Sequence, residues 1–461
     1  MPSDAPQPII SVSGLRGIVG QSLTPDLASR YVAAFAQLAP AGPIVLSHDG
    51  RTTAPMLTDA VRATLVACGR DVLESGATAT PTVGVLVRAE QAAGAVQISA
   101  SHNPPEYNGI KLFGPEGRVI DAEAGGKVRE AYLAGEAAWV SYDELGTCRT
   151  IDDPHAEHLK RVLATVDVER IQKRKFRVLL DSNHGAGSTA GARLLKELGC
   201  EVELIGGTPD GRFEHPPEPT LENLTGIAAR VKASGVDVGF CQDPDADRLA
   251  LIDEQGRYVG EEYTLAVTLG HALRTRTGPV VINCATSRMN QDLAAAGCPC
   301  IVSAVGEANV TGEMIRHDAV YGGEGNGGPI DPRVGFVRDS LVAMAQTLDA
   351  LAATGQSLSA IVDGIPRYAI HKSKAGLTAD RVPAALDRLI AEFPDASSNT
   401  RDGLRLDWEK AWLLIRASNT EPIVRIIAET QSDAESRAFA KGLEPSSKAD
   451  PSGRDERRHD S

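Results

Sequence analysis

The stretch that most constrains the fold is Val96 to Gly114, VQISASHNPPEYNGIKLFG. Ala95 to Ser99 reads as a short buried strand, and Asn103-Pro104-Pro105 then forbids both helix and ladder. Ser101 is therefore delivered onto a stiff loop. Asn108-Gly109 is a strong two-residue turn signal, predicting a hairpin there. In the strand that follows, Ile110 to Phe113, alternation puts Ile110 and Leu112 on one face and Lys111 on the other, folded back towards the serine. A serine hydroxyl needs a base, a cation or a metal to become a nucleophile, and His102 and Lys111 offer the first two. Against this stands an ordinary surface turn, which leaves the buried strand, the double proline and the hairpin without a common reason.

A second concentration of chemistry follows at Val236 to Asp253, VDVGFCQDPDADRLALID. A buried strand runs into Asp243, Asp245 and Asp247, and a new strand starts at Leu249. Three carboxylates so close repel one another unless a cation neutralises them, and a hard divalent ion with oxygen ligands, most simply Mg²⁺, does so. Glu254 falls where an EF-hand would place its last ligand. That alternative fails, because Arg248 stands at the turn-glycine position and both flanks read as strands.

Around these motifs, short aliphatic runs alternate with amphipathic segments. Thr24 to Leu38 has a capping threonine followed by proline, Pro43 to Ser47 reads as a strand, Ala54 to Cys68 as a helix and Asp71 to Glu74 as a strand. The pattern predicts an α/β chain whose first unit has a largely parallel sheet. Ser141 to Asp153 reads as a connection, and a helix from about Pro154 to Thr165 opens the second unit. Gly185, Gly187 and Gly191 imitate a dinucleotide fingerprint, but the third glycine comes one residue late, so a close-packed strand-to-helix turn is the better reading. The third unit, from 255, ends on the glycine-rich run Gly322 to Pro332, GGEGNGGPIDP, where Glu324 and Asn326 can read hydroxyl groups. After Ile365-Pro366 a small fourth unit carries IRASNTEPIVRIIAE, with Arg416, then Ser418, Asn419 and Thr420 in a turn, then Arg425 on the returning strand. Such a nest suits a phosphate. The expected division is 1–150, 151–254, 255–366 and 367–442, with 443–461 a disordered tail poor in apolar residues.

A chain of 461 residues is long enough for about three domains at ~150 residues each. Aromatics make up only 4% and the net charge is -14, which argues against nucleic acid and anionic membrane as partners. The first residues lack a basic region leading into an apolar core, no apolar run approaches ~18 residues, and the seven cysteines are scattered. A cytoplasmic protein with reduced thiols is expected.

Taken in order, these stretches resemble the motifs of the α-D-phosphohexomutases: the alanine-serine-histidine-asparagine-proline run, the metal loop of three aspartates with the neighbouring Arg248, the sugar loop and the phosphate loop. The likeness covers about residues 9 to 440. It implies three related α/β domains with mixed sheets and a smaller α+β domain around a central cleft. It also implies phosphoryl transfer between the C1 and C6 oxygens of a hexose phosphate through a phosphorylated Ser101, with magnesium held by Ser101, Asp243, Asp245 and Asp247. Lys111 and His102 become candidates for proton transfer. Arg16, between two glycines in Ser13-Gly14-Leu15-Arg16-Gly17, would stabilise the phosphoryl oxygens. Glu324 and Asn326 would read the sugar, and Arg248, Arg416, Ser418, Asn419, Thr420 and Arg425 would join in binding it. Many bacterial members end the sugar loop in histidine where this chain has Gly328, so any proton-transfer role of that residue is absent or relocated. Within the family, phosphoglucosamine mutase fits this sugar loop first, with phosphomannomutase or phosphoglucomutase as the alternative. A metal-dependent phosphatase and a dinucleotide-dependent dehydrogenase remain as rivals from other classes.

Overall fold

The computed structural model describes residues 7–11, 14–135, 137–295, 297–417 and 423–441. The expected tail, from 443 on, and the turn Ser418 to Thr420 lie outside these residues. The chain separates into two compact units, Met1–Pro366 and Arg367–Ser461.

The first unit contains three sheets. A seven-stranded sheet runs in the order Ile9–Ser11, Gly14–Ile18, Tyr107–Phe113, Gly94–Ile98, Ile44–His48, Val72–Ala77, Cys148–Thr150. The last four strands are parallel, and Tyr107–Phe113, Gly14–Ile18 and Ile9–Ser11 are antiparallel, so the sheet is mixed and not largely parallel. The second sheet has the order Leu249–Asp253, Val238–Gln242, Arg177–Asp181, Glu201–Ile205, and the third Cys300–Ser303, Val280–Asn283, Tyr321–Glu324, Gly328–Ile330. In all three sheets a buried parallel strand reverses into an antiparallel partner: Gly94–Ile98 into Tyr107–Phe113, Val238–Gln242 into Leu249–Asp253, Tyr321–Glu324 into Gly328–Ile330. The three connections are the serine loop, the aspartate loop and the glycine-rich loop. Each therefore sits at the carboxyl end of a parallel strand, the side of an α/β sheet where ligands bind.

Capping and apolar spacing coincide in two of the longer helices. Thr24 accepts from the Leu27 amide at the head of Pro25–Leu38, with Pro25 in the first turn. The helix Ser340–Thr354 is capped by Asp339 and ends at Gly355 in the left-handed conformation. Its residues Ser340 to Leu351 are all buried, as expected of a helix apolar on every side.

The local turn signal at Asn108-Gly109 is overruled. Both residues lie within the strand Tyr107–Phe113, paired with Gly14–Ile18, and the reversal is made by residues 99–106. The glycine serves close approach: a Cβ on Gly109 would meet the carbonyl oxygens of Leu15 and Ser99, each at 2.6 Å. The segment read as a connection contains Cys148–Thr150, which adds to the first sheet beside Val72–Ala77.

The second unit is a five-stranded antiparallel sheet in the order Ala369–Gly376, Ile423–Thr430, Trp412–Ala417, Leu404–Asp407, Ser397–Asn399, with helices Val382–Glu392 and Asp433–Lys441. Trp412 anchors its core. Its indole donates to Glu429 Oε2 at 2.9 Å while the Arg405 guanidinium lies over the ring at 4.4 Å.

Candidate active site

Ser101 is 2% exposed and adopts a left-handed backbone, φ 51°, a conformation that in a residue with a side chain marks stored strain. Its amide donates to Ser99 Oγ at 2.9 Å. The hydroxyl lies 3.2 Å from Asp243 Oδ2, to which it donates, and 3.2 Å from His102 Nδ1. Serine loop and aspartate loop therefore meet, although they are 142 residues apart.

Asp243, Asp245 and Asp247 are fully buried, and one carboxylate oxygen from each lies within 4.8 Å of the others. Ala246, with φ 56°, turns the chain tightly enough to bring them together. What each carboxylate does with its two oxygens is informative. Oδ2 of Asp245 receives Lys111 Nζ at 2.8 Å, Thr80 Oγ1 at 2.9 Å and Ser99 Oγ at 3.1 Å. Oδ2 of Asp247 receives Arg338 at 2.6 Å and Lys111 at 3.4 Å. Oδ1 of Asp245 and Oδ1 of Asp247 are buried with no hydrogen-bond partner among the described residues. Buried carboxylate oxygens without a donor are costly, and a hard cation with oxygen ligands removes that cost. The donor set thus fits a divalent ion such as magnesium.

Charge is finely divided. Burial, reinforced by Asp245 and Asp247, pushes the Asp243 carboxyl well above its ordinary range, as expected for three carboxylates sharing a site. Burial acts the same way on Asp245, but Lys111 overcomes it and holds that group ionised. Burial alone would lower the Lys111 ammonium, yet Asp245 and Asp247 keep it above its usual value. His102 is pushed down to about 3, first by burial and then by Arg248 and Arg16, so it is a neutral imidazole at neutral pH. Neither Lys111 nor His102 is therefore tuned near neutrality, where a proton carrier works best. Lys111, moreover, turns its ammonium to the aspartates and Thr80, not to the serine.

Arg16 lies on the strand Gly14–Ile18 and donates to Asn103 Oδ1 at 3.1 Å, reaching the serine loop from the side. Arg248 donates its amide to Asp243 Oδ1 at 3.1 Å, and its buried Nε lies 3.7 Å from Asp247 Oδ1 with no hydrogen-bond partner among the described residues. Glu324, 3% exposed, accepts from Asn283 at 2.6 Å and the Gly306 amide at 3.0 Å on Oε1, and from Arg338 at 2.9 Å on Oε2. Asn326 donates to Glu324 Oε2 at 3.5 Å and keeps a buried Oδ1 with no hydrogen-bond partner among the described residues. In the second unit Arg416 and Arg425 are direct cross-strand partners, and Arg416 donates to Asp402 at 2.8 Å. Like charges set opposite one another repel unless an anion joins them.

Several participants escaped the sequence reading. Thr80 and Ser99 fix Asp245, and Arg338 is the hub of the whole site. Its guanidinium reaches Asp247 at 2.6 Å, Glu307 at 2.9 Å and Glu324 at 2.9 Å, tying the aspartate loop to the glycine-rich loop. Burial would lower Arg338, but these three carboxylates hold it well above its usual value. The only sequence signal was a lone charge beside the Asp339 cap of an apolar helix. Two of the glycines that imitate a dinucleotide fingerprint, Gly185 and Gly187, pack against the aspartate loop. A Cβ on Gly185 would meet Pro244 Cα at 2.6 Å, and one on Gly187 would meet Ala246 Cβ at 2.6 Å.

Four models of the phosphoglucomutase/phosphomannomutase family match the chain in succession: alpha/beta/alpha domain I over residues 8–138, domain II over 153–256, domain III over 261–368 and the C-terminal domain over 377–444. A phosphoglucomutase/phosphomannomutase of Thermococcus kodakarensis is 35% identical over 439 residues, which cover 92% of this chain and 95% of that protein. A probable phosphoglucosamine mutase of Methanopyrus kandleri is 32% identical, covering 92% and 94%. Among solved structures, a family member from Burkholderia thailandensis matches with a TM-score of 0.83 at 25% identity, covering 94% of this chain and 96% of that one.

Proposed function

Because the chain belongs to the phosphoglucomutase/phosphomannomutase family and is thus an isomerase of the phosphohexomutase kind, we propose that Ser101 carries the phosphoryl group and that hexosamine phosphate is the preferred substrate. The observation that carries the reading is the Ser101 hydroxyl, 3.2 Å from Asp243 in a triad with two unpartnered carboxylate oxygens. Nucleophile and cation site share one wall.

In the proposed step the bond between phosphorus and Ser101 Oγ breaks as the bond to a sugar oxygen forms. The proton of that sugar hydroxyl passes to the freed serine oxygen, directly or through water. The resulting bisphosphorylated sugar turns over, and its other phosphate returns to Ser101 by the reverse exchange. Magnesium, when bound by Asp243, Asp245 and Asp247 beside Ser101, would supply positive charge against the transferring oxygens. Lys111 holds Asp245 ionised and oriented. His102, neutral, and Arg16, cationic, stabilise the phosphoryl oxygens, a better match to their environments than proton abstraction. Glu324 and Asn326 would contact the sugar hydroxyls, with Arg248 beside them. The far phosphate would be gripped by Arg416, Arg425 and the Ser418-Asn419-Thr420 turn. The residues would divide among domains at 150, 254 and 366, in a cytoplasmic enzyme. Among the described residues no helix is long and apolar enough to cross a membrane.

Preference for the hexosamine should be small. A glucosamine ammonium would be drawn to Glu324, but Arg338 already occupies Oε2 of that carboxylate, so the advantage is held to ~1 kcal/mol or less, about fivefold at most. The test is a panel of glucose, mannose, glucosamine and N-acetylglucosamine 1-phosphates, with intact mass and phosphopeptide mapping of Ser101. Turnover of glucosamine 1-phosphate ahead of the glucose and mannose esters is expected. An inert glucosamine ester with rapid mannose turnover would replace the assignment with a phosphomannomutase. Phosphate released without isomerisation would point to a phosphatase.

A further inference from the structure

Arg51 is 1% exposed and makes no contact with the triad, yet all its donors are spent on one task. Its Nη2 donates to the carbonyls of Ser101 and Asn103, each at 2.6 Å. Its Nη1 donates to the carbonyls of Pro104 at 2.8 Å and Tyr107 at 3.1 Å, and its Nε to Asp49 Oδ2 at 3.0 Å. A guanidinium has five N–H groups in a planar fork, and here they meet four backbone carbonyls and one carboxylate. One face of the fork is covered by the Phe213 ring, 5.1 Å from the guanidinium carbon.

The serine loop also closes on itself through the Asn103 amide to the Ala100 carbonyl and the Tyr107 amide to the Pro104 carbonyl, each at 3.1 Å, but among the described residues only Arg51 donates to the carbonyls of Ser101 and Asn103. Pro104 and Pro105 have no amide hydrogen to contribute, and Ser101 sits in the left-handed region, which a residue with a side chain leaves unless its surroundings hold it there. We propose that Arg51 is the positioning residue of this enzyme: it gathers the carbonyls of residues 101, 103, 104 and 107 around one cation and so presents the Ser101 hydroxyl to Asp243. The inference rests on Ser101 being the phosphoryl carrier. The neighbouring domain takes part, because the segment that brings Phe213 fits closely around Arg51. A Cβ on Gly211 would stand 2.5 Å from Arg51 Cα, and one on Gly50 2.7 Å from the Pro209 carbonyl oxygen.

Lysine keeps the charge but offers three donors from one point, so it cannot reproduce the fork. In Arg51→Lys, phosphorylation of Ser101 by a hexose 1,6-bisphosphate, followed by intact mass, should slow about 100-fold, the scale of a nucleophile misplaced by about 1 Å. The kcat should fall with it while KM for the sugar phosphate stays within twofold, because Arg51 faces the loop and not the substrate. Methylguanidine added to Arg51→Ala should restore part of the rate. A wild-type phosphorylation rate in Arg51→Lys, or a loss that only follows the folded fraction seen by circular dichroism, would overturn the proposal. If Arg51→Lys does not fold, Phe213→Leu decides by the same readout: slower phosphorylation at unchanged KM supports it and a wild-type rate refutes it. Wild-type protein that takes no phosphate on Ser101 refutes the underlying reading instead.

Discussion

Substituting Gly328 with alanine is a one-carbon test of the Arg338 hub. The added Cβ would stand 2.8, 2.7 and 2.5 Å from Cβ, Cγ and Cδ of Arg338, against the 3.5–4.0 Å at which carbon atoms rest. These are stem atoms, so the side chain must retreat by about 1 Å, and its guanidinium cannot then keep all three carboxylates at 2.6 to 2.9 Å. Those carboxylates lie on different elements: Asp247 in the aspartate loop, Glu307 at the head of Glu307–Arg316 and Glu324 at the end of Tyr321–Glu324. They cannot follow together. Losing one or two charge-assisted bonds at about 1.5–3 kcal/mol each gives a destabilisation of about 3 kcal/mol. At about 2.1 cal/mol/K per residue, the 366-residue unit then melts about 4 °C lower. Calorimetry and urea unfolding read the effect, and a thermodynamic cycle isolates it. Truncating Arg338 to alanine is itself costly, but in that background only the Cβ contact at 2.8 Å remains, so Gly328→Ala should cost about 1 kcal/mol there, a coupling of about 2 kcal/mol. Additive effects, or a Gly328→Ala protein with wild-type stability, would refute the argument that this glycine exists to seat Arg338.

Asp245→Asn should lower kcat about 100-fold with KM little changed, because the charge of the cation it would hold acts on the transferring group, whereas Arg425→Ala should raise KM about tenfold or more at nearly constant kcat. Reduction of kcat alone in both variants would contradict this division of labour. His215 is lowered by burial, but its 2.7 Å bond to Asp181 outweighs that and leaves it above its ordinary value. The pair therefore stabilises fully below about pH 6.5 and loses that contribution as pH rises through the folded value. The gap between urea midpoints of the wild type and His215→Gln should shrink from pH 5.5 to 9, and a constant gap would contradict it.

Strands buried on both faces were legible because they are written as continuous aliphatic runs. Gly94–Ile98 and Ile44–His48 form within one residue of the runs read at Ala95 to Ser99 and Pro43 to Ser47. Cys148–Thr150 was not, since its three residues are all exposed and its pairing with Val72–Ala77 is a backbone event without an apolar signature. Asn108-Gly109 shows the opposite failure. The dipeptide has the chemistry of a tight turn, but its glycine was needed between two strands, and its asparagine donates across to Thr53 Oγ1 at 2.9 Å.

Within the site, the residues that bear chemistry were legible because that chemistry is local: three carboxylates two apart, a serine before a double proline. The residues that tune them were not, because each acts across a long stretch of chain. Thr80 meets Asp245 over 165 positions and Arg338 meets Asp247 over 91. Nothing about a threonine at a helix start or an arginine before a cap predicts such a partner. Yet the tuning decides the chemistry. Three donors on Asp245 Oδ2 leave its Oδ1 for a cation, and Arg338 on Asp247 Oδ2 leaves Oδ1 there with only the Arg248 guanidinium nearby at 3.7 Å. Arg338 also neutralises the carboxylate in the glycine-rich loop. A side chain that orients a metal ligand and also mutes the charge offered to the sugar links the two, so replacing Arg338 should alter metal dependence and sugar preference together.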